Sequence, residues 1–448
     1  LQETPRSNRL AWFEGFPEPL PEGVPEVARE TTLIWDRKTG QAIHRAIVWQ
    51  CRRTAPIIER LKQDGLTEMI RDKTGLVPDA YFSASKIRWL LDQTGTQARA
   101  ERGELCFGTV DSFLAWHLTG GQTHVTDATN AARTMLFNLK EQDWDDDLLR
   151  VFNIPRVLLP QVKDTAGVIG TLDERCLGQA IPIAALAGDQ HAALFGQGCL
   201  EEGAVKNTYG TGCFMLMNTG ARPVRDERGL LTTMAWRLNG KPMYALEGSV
   251  FVAGAAIQWL RDELGLISTA AQSEQLASQV PDTAGVCFGP AFTGLGAPHW
   301  DMYARGTLTG FSRGAKAAHL ARAALESIAF QSNDLLQLMA ASLGRAPEAL
   351  RVDGGATAND LLMQMQADIS GITVLRPQVR ETTALGAALL AGLGVGMFSS
   401  PAQAAGKWRP ECAFTPAWDA QLRQERLRDW DRAVRTTLFE ASLRREKG

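Results

Sequence analysis

Three short stretches of the chain combine glycine with a polar side chain: Ala187-Gly188-Asp189-Gln190, Tyr209-Gly210-Thr211-Gly212 and Asp353-Gly354-Gly355-Ala356-Thr357-Ala358-Asn359. A turn without Cβ atoms lets successive backbone N–H groups converge on phosphate oxygens. A hydroxyl such as that of Thr211 adds a donor, and a carboxylate such as that of Asp189 can take a proton from an attacking alcohol. Each stretch alone has an ordinary structural reading. YGTG is a tight hairpin turn, DGG a turn after a strand, and Asp189 a cap for the helix that follows. Their joint appearance is what points to a ligand, because open α/β sheets collect ligands at the carboxyl ends of their strands.

The elements around these stretches read as strand-to-turn or strand-to-helix units. IPIAALAGD, from residue 181, is a short buried strand running into the Asp189 turn, and AALFGQG continues as a helix. KNTYGTGCFML, residues 206–216, is a sheet hairpin that spends two glycines around one threonine. Phe251 to Leu264 reads as a helix with charge on one side. Leu350 to Asp353 is a strand followed by the helix NDLLMQMQADI. Upstream, Thr31–Trp35 and Ala46–Trp49 read as two strands of a hairpin turning at Asp36–Gly40. ASKIRWLLD has helical spacing, 145–160 is a helix with an IPRVLLP connection, and Trp418 to about Arg445 is a charged amphipathic helix. Alternation of strands and helices throughout predicts α/β architecture, and 448 residues exceed what one core sustains, so two halves are expected.

Composition narrows the class of protein. A net charge of −3 provides no electrostatic footprint for nucleic acid or an anionic membrane. Seven scattered cysteines without a CxxC pair encode neither a disulfide framework nor a zinc site, which fits a reducing compartment, the cytoplasm. The most apolar stretch, residues 384–398, is too short and too rich in Ala and Gly for a transmembrane segment; a buried helix packed against another backbone is expected. Residues 1–28 carry five prolines and no periodicity, and read as an irregular leader.

Taken together, strand–AGDQ–helix, KNTYGTGCFML and VDGGATANDLLMQMQAD resemble the FGGY carbohydrate kinases, built on the actin and hexokinase ATPase fold. RETTLIWDRKTG, AIVWQCRRTA, GTVDSFLAWHLTGG, HVTDATNAARTMLFNL, AFTGLGAPHWD and ETTALGAALLAGLGVG extend the resemblance from about Arg29 to Trp408. It implies two actin-like (ribonuclease H-like) domains flanking a cleft, 29–198 on the polyol side and 199–448 on the ATP side. The implied reaction is ATP-dependent phosphorylation of glycerol, in a homo-oligomer (dimer or tetramer). The implied polyol site is Arg29, Glu30, Trp49, Tyr81, Asp189, Gln190 and Phe214, with Asp189 as general base. Gly210 and Thr211 would meet the ATP phosphates, and Gly254, Gln258, Gly355 and Asn359 the rest of the nucleotide. Mg²⁺ would bridge phosphate oxygens, with no residue assigned to it. A kinase for another polyol or ketose, or a nucleotide-binding protein without transfer activity, are the alternative readings.

The sequence departs from the family pattern in two places. The family's opening strand and DQGTTSSR-like hairpin, which cradle phosphate and hold the metal, have no counterpart, so the first domain is expected to be incomplete at its N-terminus. A shifted reading frame or truncated start is the expected origin of the leader, in preference to a catalytically impaired protein. Where relatives inhibited by fructose 1,6-bisphosphate carry a Gly-Gly-Thr-Arg loop, this chain has DERCLGQAIPIA, residues 173–184. Fructose 1,6-bisphosphate should therefore inhibit weakly or not at all in a coupled assay; micromolar inhibition would contradict this.

Overall fold

A computed structural model of the chain describes residues 30–301, 303–406 and 408–445. The leader and Arg29 lie outside the described residues. In the first half, strand β1 (Leu33–Asp36) pairs antiparallel with β2 (Leu105–Gly108), and helix α1 (Ser83–Thr94) packs nearby. Ile34, Phe82, Ile87, Leu90, Phe107, Leu136 and Phe137 form a continuous apolar core there. The expected second strand at 46–49 is absent. Only isolated bridges, Thr32 to Ile47 and Trp35 to Ala42, join that segment to β1. Its side chains turn to other partners instead, His44 edge-on to Trp89 and Trp49 edge-on to Tyr81.

Strands β3 (Ala166–Thr171) and β4 (Pro182–Ala185) pair antiparallel and lead into α2 (Asp189–Gly196). The expected buried strand is only partly buried: Ala184 is enclosed, whereas Pro182 is exposed.

The second half is organised on a seven-stranded sheet. Its strands are β5 (Val205–Tyr209), β6 (Cys213–Gly220), β7 (Leu231–Leu238), β8 (Lys241–Val250), β9 (Ala349–Asp353), β10 (Thr373–Pro377) and β11 (Pro410–Phe414). The spatial order is β7-β8-β6-β5-β9-β10-β11. β5, β9 and β10 run parallel, and the other neighbours are antiparallel. Helices α3 (Gly254–Asp262), α4 (Ala317–Leu343), α5 (Asp360–Ser370), α6 (Thr382–Gly394) and α7 (Ala420–Arg445) complete it. α3 begins three residues later than the sequence pattern suggests, because Ala253 departs from helical geometry (φ −121, ψ −92).

Strand alternation gives the sheet two different faces. Val205, Tyr209, Met215, Met217 and Leu246 belong to a core shared with Leu335 and Met339 of α4. The opposite face sends Leu216 and Ala245 against Leu194 and Phe195 of α2 and Leu390 of α6. The β7–β8 end is planted in the first half, where Leu231, Met234 and Tyr244 join its core. α6, the Ala- and Gly-rich segment, packs closely on another backbone as expected, since a Cβ on its Gly386 would collide with the Ala192 carbonyl of α2. It is not a buried helix, however: only Thr382, Gly386, Leu390 and Gly392 are enclosed, and Ala384, Ala387 and Ala388 face outwards. Among the described residues no helix is long and apolar enough to cross a membrane.

α7 lies against α4, with Trp430 stacked on Phe330 at 5.3 Å between centroids. Its indole N–H donates to Asp334 Oδ2 at 2.7 Å. Burial of Asp334, aided by Asp431, pushes that carboxyl up to about 7. A folded-state value above the unfolded one means that stability is lost as pH rises from about 4 towards 7. Asp334→Asn, which keeps an acceptor for Trp430, should raise the melting temperature at pH 8 more than at pH 5. Equal shifts at both pH values would show that Asp334 carries no such penalty.

Candidate active site

The AGDQ turn is held from below by the first half. Asp127 is fully buried, and its carboxylate accepts from the backbone N–H groups of Thr129 and Asn130, both at 3.0 Å. Thr129 Oγ1 in turn accepts from Gly188 N–H at 2.9 Å. Gly188 occupies the cap position and Asp189 is the first residue of α2, so Asp189 is not the cap. Its side chain is exposed, while Gln190 beside it is buried. Gln190 donates twice to that carboxylate, N–H to Oδ1 at 2.8 Å and Nε2 to Oδ2 at 3.1 Å.

The hairpin between β5 and β6 is tight, closed by Gly210 N–H to the Gly212 carbonyl at 2.8 Å. Gly210 and Thr211 form its exposed tip. The N–H groups of Thr211 and Gly212 have no acceptor among the described residues, an arrangement suited to an anion. The glycines of this region answer to one another's backbones. A Cβ at Gly254 would sit 2.6 Å from the Gly210 carbonyl, and one at Gly212 would strike the Val250 carbonyl. Gly254 N–H donates to Gly210 O at 3.0 Å, and the Ala253 and Ala255 N–H groups bind Thr211 O. Gly254 thus reflects close approach of the hairpin to α3 rather than contact between two helices.

Gly354, at φ +90, is likewise pressed on the Tyr209 backbone, whereas a Cβ at Gly355 would meet nothing within 4 Å. The DGG turn is therefore seated on the hairpin with its second glycine open. Gln258 is one helical turn from Gly254 and exposed. Asn359 caps α5 by accepting from Leu362 N–H at 2.8 Å, which leaves its amide NH₂ for another partner. Gly210, Thr211, Gly254, Gly355 and Asn359 are thus brought together around β5, α3 and the β9 turn, with Gln258 on the Gly254 face of α3.

Glu30, Trp49 and Tyr81 form a separate wall. Trp49 and Tyr81 meet edge to face at 5.4 Å. Glu30 is 1 % exposed and paired with Arg133, whose Nε lies 3.0 Å from Glu30 Oε1. Arg133, itself 0 % exposed, also reaches Glu247 Oε1 of β8 through Nη2 at 2.9 Å, and its Cζ lies 5.3 Å from the Phe82 ring centroid. Lys86 donates to the Tyr81 carbonyl at 2.6 Å, and burial pushes its ammonium down to about 8.

β-sheet register connects this wall to the hairpin. Lys206 is opposite Leu216 and Thr208 opposite Phe214, and those two are opposite Glu247 and Ser249. Cross-strand partners share a face, so Lys206, Thr208, Phe214 and Glu247 all point towards the first half. Gln190 meets this face at the Lys206 ammonium. Sequence reasoning missed Arg133, Glu247, Lys206 and Lys86. The only signal was charge inside strand or apolar patterns, which ordinarily marks a solvated face; here the other half of the chain takes the place of solvent.

A hairpin with an exposed Gly-Thr tip at strand ends, an exposed carboxylate at a helix start and a mixed sheet with helices on both faces fit a phosphotransferase of the actin-like ATPase fold. The comparisons agree. The N-terminal domain of the FGGY family of carbohydrate kinases matches residues 26–196, and its C-terminal domain residues 205–395. The chain is 59% identical over 408 residues to the glycerol kinase of Aromatoleum aromaticum, covering 91% of this chain and 82% of that protein. It is 55% identical over 411 residues to glycerol kinase 2 of Thermotoga maritima, covering 92% and 83%. A crystal structure of Plasmodium falciparum glycerol kinase with ADP superposes with a TM-score of 0.86 at 36% identity, covering 92% of this chain and 82% of that one. A ligand-bound xylulose kinase from Lactobacillus acidophilus shares the fold, with a TM-score of 0.80 at 22% identity over 91% and 82% of the two chains. The chain belongs to the FGGY family of carbohydrate kinases.

Arg133→Met should leave two buried carboxylates without their cation. Breaking a buried ion pair typically costs about 3–5 kcal/mol, and urea unfolding of the variant should reveal a loss of that order. A variant as stable as the parent would show that the cluster does not hold the two halves together.

Proposed function

We propose that this chain transfers the γ-phosphoryl group of ATP to a terminal hydroxyl of glycerol, giving sn-glycerol 3-phosphate and ADP. The observation that carries the reading is the convergence on one sheet face of the Glu30–Tyr81–Trp49 wall, through Arg133 and Glu247, and of Asp189–Gln190, through Lys206, beside the 210–212 hairpin. The wall offers a triol what it needs: carboxylate acceptors in Glu30 and Asp189, a donor in Gln190, and aromatic surface from Trp49 and Phe214 for the carbon chain. Arg29 completes this set in the same reading.

In the transfer, the Asp189 carboxylate accepts the hydroxyl proton as the oxygen bonds to the γ-phosphorus and the bond to the ADP oxygen breaks. Thr211 and the N–H groups of the hairpin tip stabilise the phosphate charge, while Gly254, Gln258, Gly355 and Asn359 hold the rest of the nucleotide. Among the described residues no group of three or more His, Cys, Asp or Glu could cage a metal ion. Mg²⁺ would neutralise charge on the nucleotide phosphates, with no residue of the chain assigned to hold it. All seven cysteines are free.

Asp189→Asn should lower turnover by about 10²–10⁴-fold with ATP binding by calorimetry nearly unchanged. Loss of nucleotide binding together with turnover would make Asp189 structural. Of glycerol, xylulose and gluconate, glycerol should give the highest kcat/KM; a preference for either of the others would reassign the acceptor.

A further inference from the structure

We infer that Lys206 is a positioning residue for phosphoryl transfer, setting the amide of Gln190 so that it grips the Asp189 carboxylate. The inference rests on the reading of Asp189 as the proton acceptor. Lys206 is in the middle of β5, and its side chain is fully buried. Withdrawing an ammonium from water is costly unless its hydrogen bonds are remade, so a strand that needed only packing would carry an aliphatic residue there. The bonds are remade in a particular way. Nζ donates to Gln190 Oε1, to Thr208 Oγ1 at 2.8 Å and to the Phe214 carbonyl at 3.3 Å.

An ammonium only donates, whereas a glutamine amide has one accepting and one donating end. Lys206 therefore requires the Gln190 oxygen to face it, which turns the NH₂ towards Asp189, where Nε2 lies 3.1 Å from Oδ2. The opposite amide orientation would set two N–H groups against a cation and an oxygen against a carboxylate. With Gln190 N–H on Oδ1 at 2.8 Å, both oxygens of Asp189 are engaged and its plane is fixed. Thr208 and Phe214 are the residues on either side of the hairpin, so the same ammonium ties the orientation of the carboxylate to the segment that meets phosphate. Lys206 is on the second half and Gln190 on the first, so the carboxylate is aligned only when the halves stand in this relation.

The test uses the full chain in steady-state assays with glycerol and ATP varied separately, plus thermal melting. Lys206→Met should lower kcat by about tenfold or more, with KM for ATP changed less than about threefold. Gln190→Ala should also lower kcat, and the double variant should be no slower than the slower single variant, because the two act in series. Lys206→Gln, whose amide can still donate to Gln190, should keep more activity than Lys206→Met and serves if the latter does not fold. Parental kcat in a folded Lys206→Met protein, no more activity in Lys206→Gln than in Lys206→Met, or losses that multiply when either variant is combined with Gln190→Ala, would overturn the inference. If those results accompany an inactive Asp189→Asn, only the role of Lys206 falls; an active Asp189→Asn would remove the reading beneath it.

Discussion

A guanidinium closed off from solvent, shared between Glu30 of one half and Glu247 of the other, is the interaction on which the arrangement of the site depends. Two carboxylates and one cation in a dry interior are tolerable only with good geometry. Arg133 is therefore a constraint more than a source of stability. It permits one relation between the wall of Trp49 and Tyr81 and the sheet that carries the phosphate hairpin. The apolar residues around it, Phe82 on one side and the Leu231–Met234–Tyr244 end of the sheet on the other, exclude the water that would soften that constraint.

Glycine does the complementary work on the nucleotide side. Gly212, Gly254 and Gly354 each stand where a Cβ would meet a backbone carbonyl of a neighbouring segment. Their function is to let hairpin, helix and turn close on one another. Gly210 and Gly355 are instead open, and under the proposed function they are the positions a nucleotide would approach. This chain thus carries two kinds of glycine here, those that pack against a neighbouring backbone and those that stay open.

Much of this was legible in the sequence because the signals were local. The turn after a strand, the hairpin with its two glycines and the helix that follows Asp353-Gly354-Gly355 all follow from residues close together in the chain. The Ala- and Gly-rich α6 was readable too, since small residues have few reasons to cluster other than close backbone contact. What escaped was non-local. Ala46–Trp49 has strand-forming residues, yet its aromatic side chain is claimed by Tyr81, and a propensity cannot express that competition. Arg133, Lys206 and Glu247 look like solvated charges until the partner half is in place, when the same residues become the most buried polar groups of the site.

That inversion has a physical logic. A cleft between two bodies must be polar where it handles a triol and a polyphosphate, and dry where transfer would otherwise compete with hydrolysis. Charges on a sheet face that is covered by the opposite half satisfy both demands, provided each is paired across the divide. Glu247 does this with Arg133 of the first half and Lys206 with the Gln190 amide oxygen, one near Tyr81 and one behind Asp189. The groups proposed to react, Asp189 and Thr211, stay exposed at the tips of their elements. Alignment is then set in the interior and chemistry carried out at the rim, so the precision of the site comes from residues that never touch the reacting atoms.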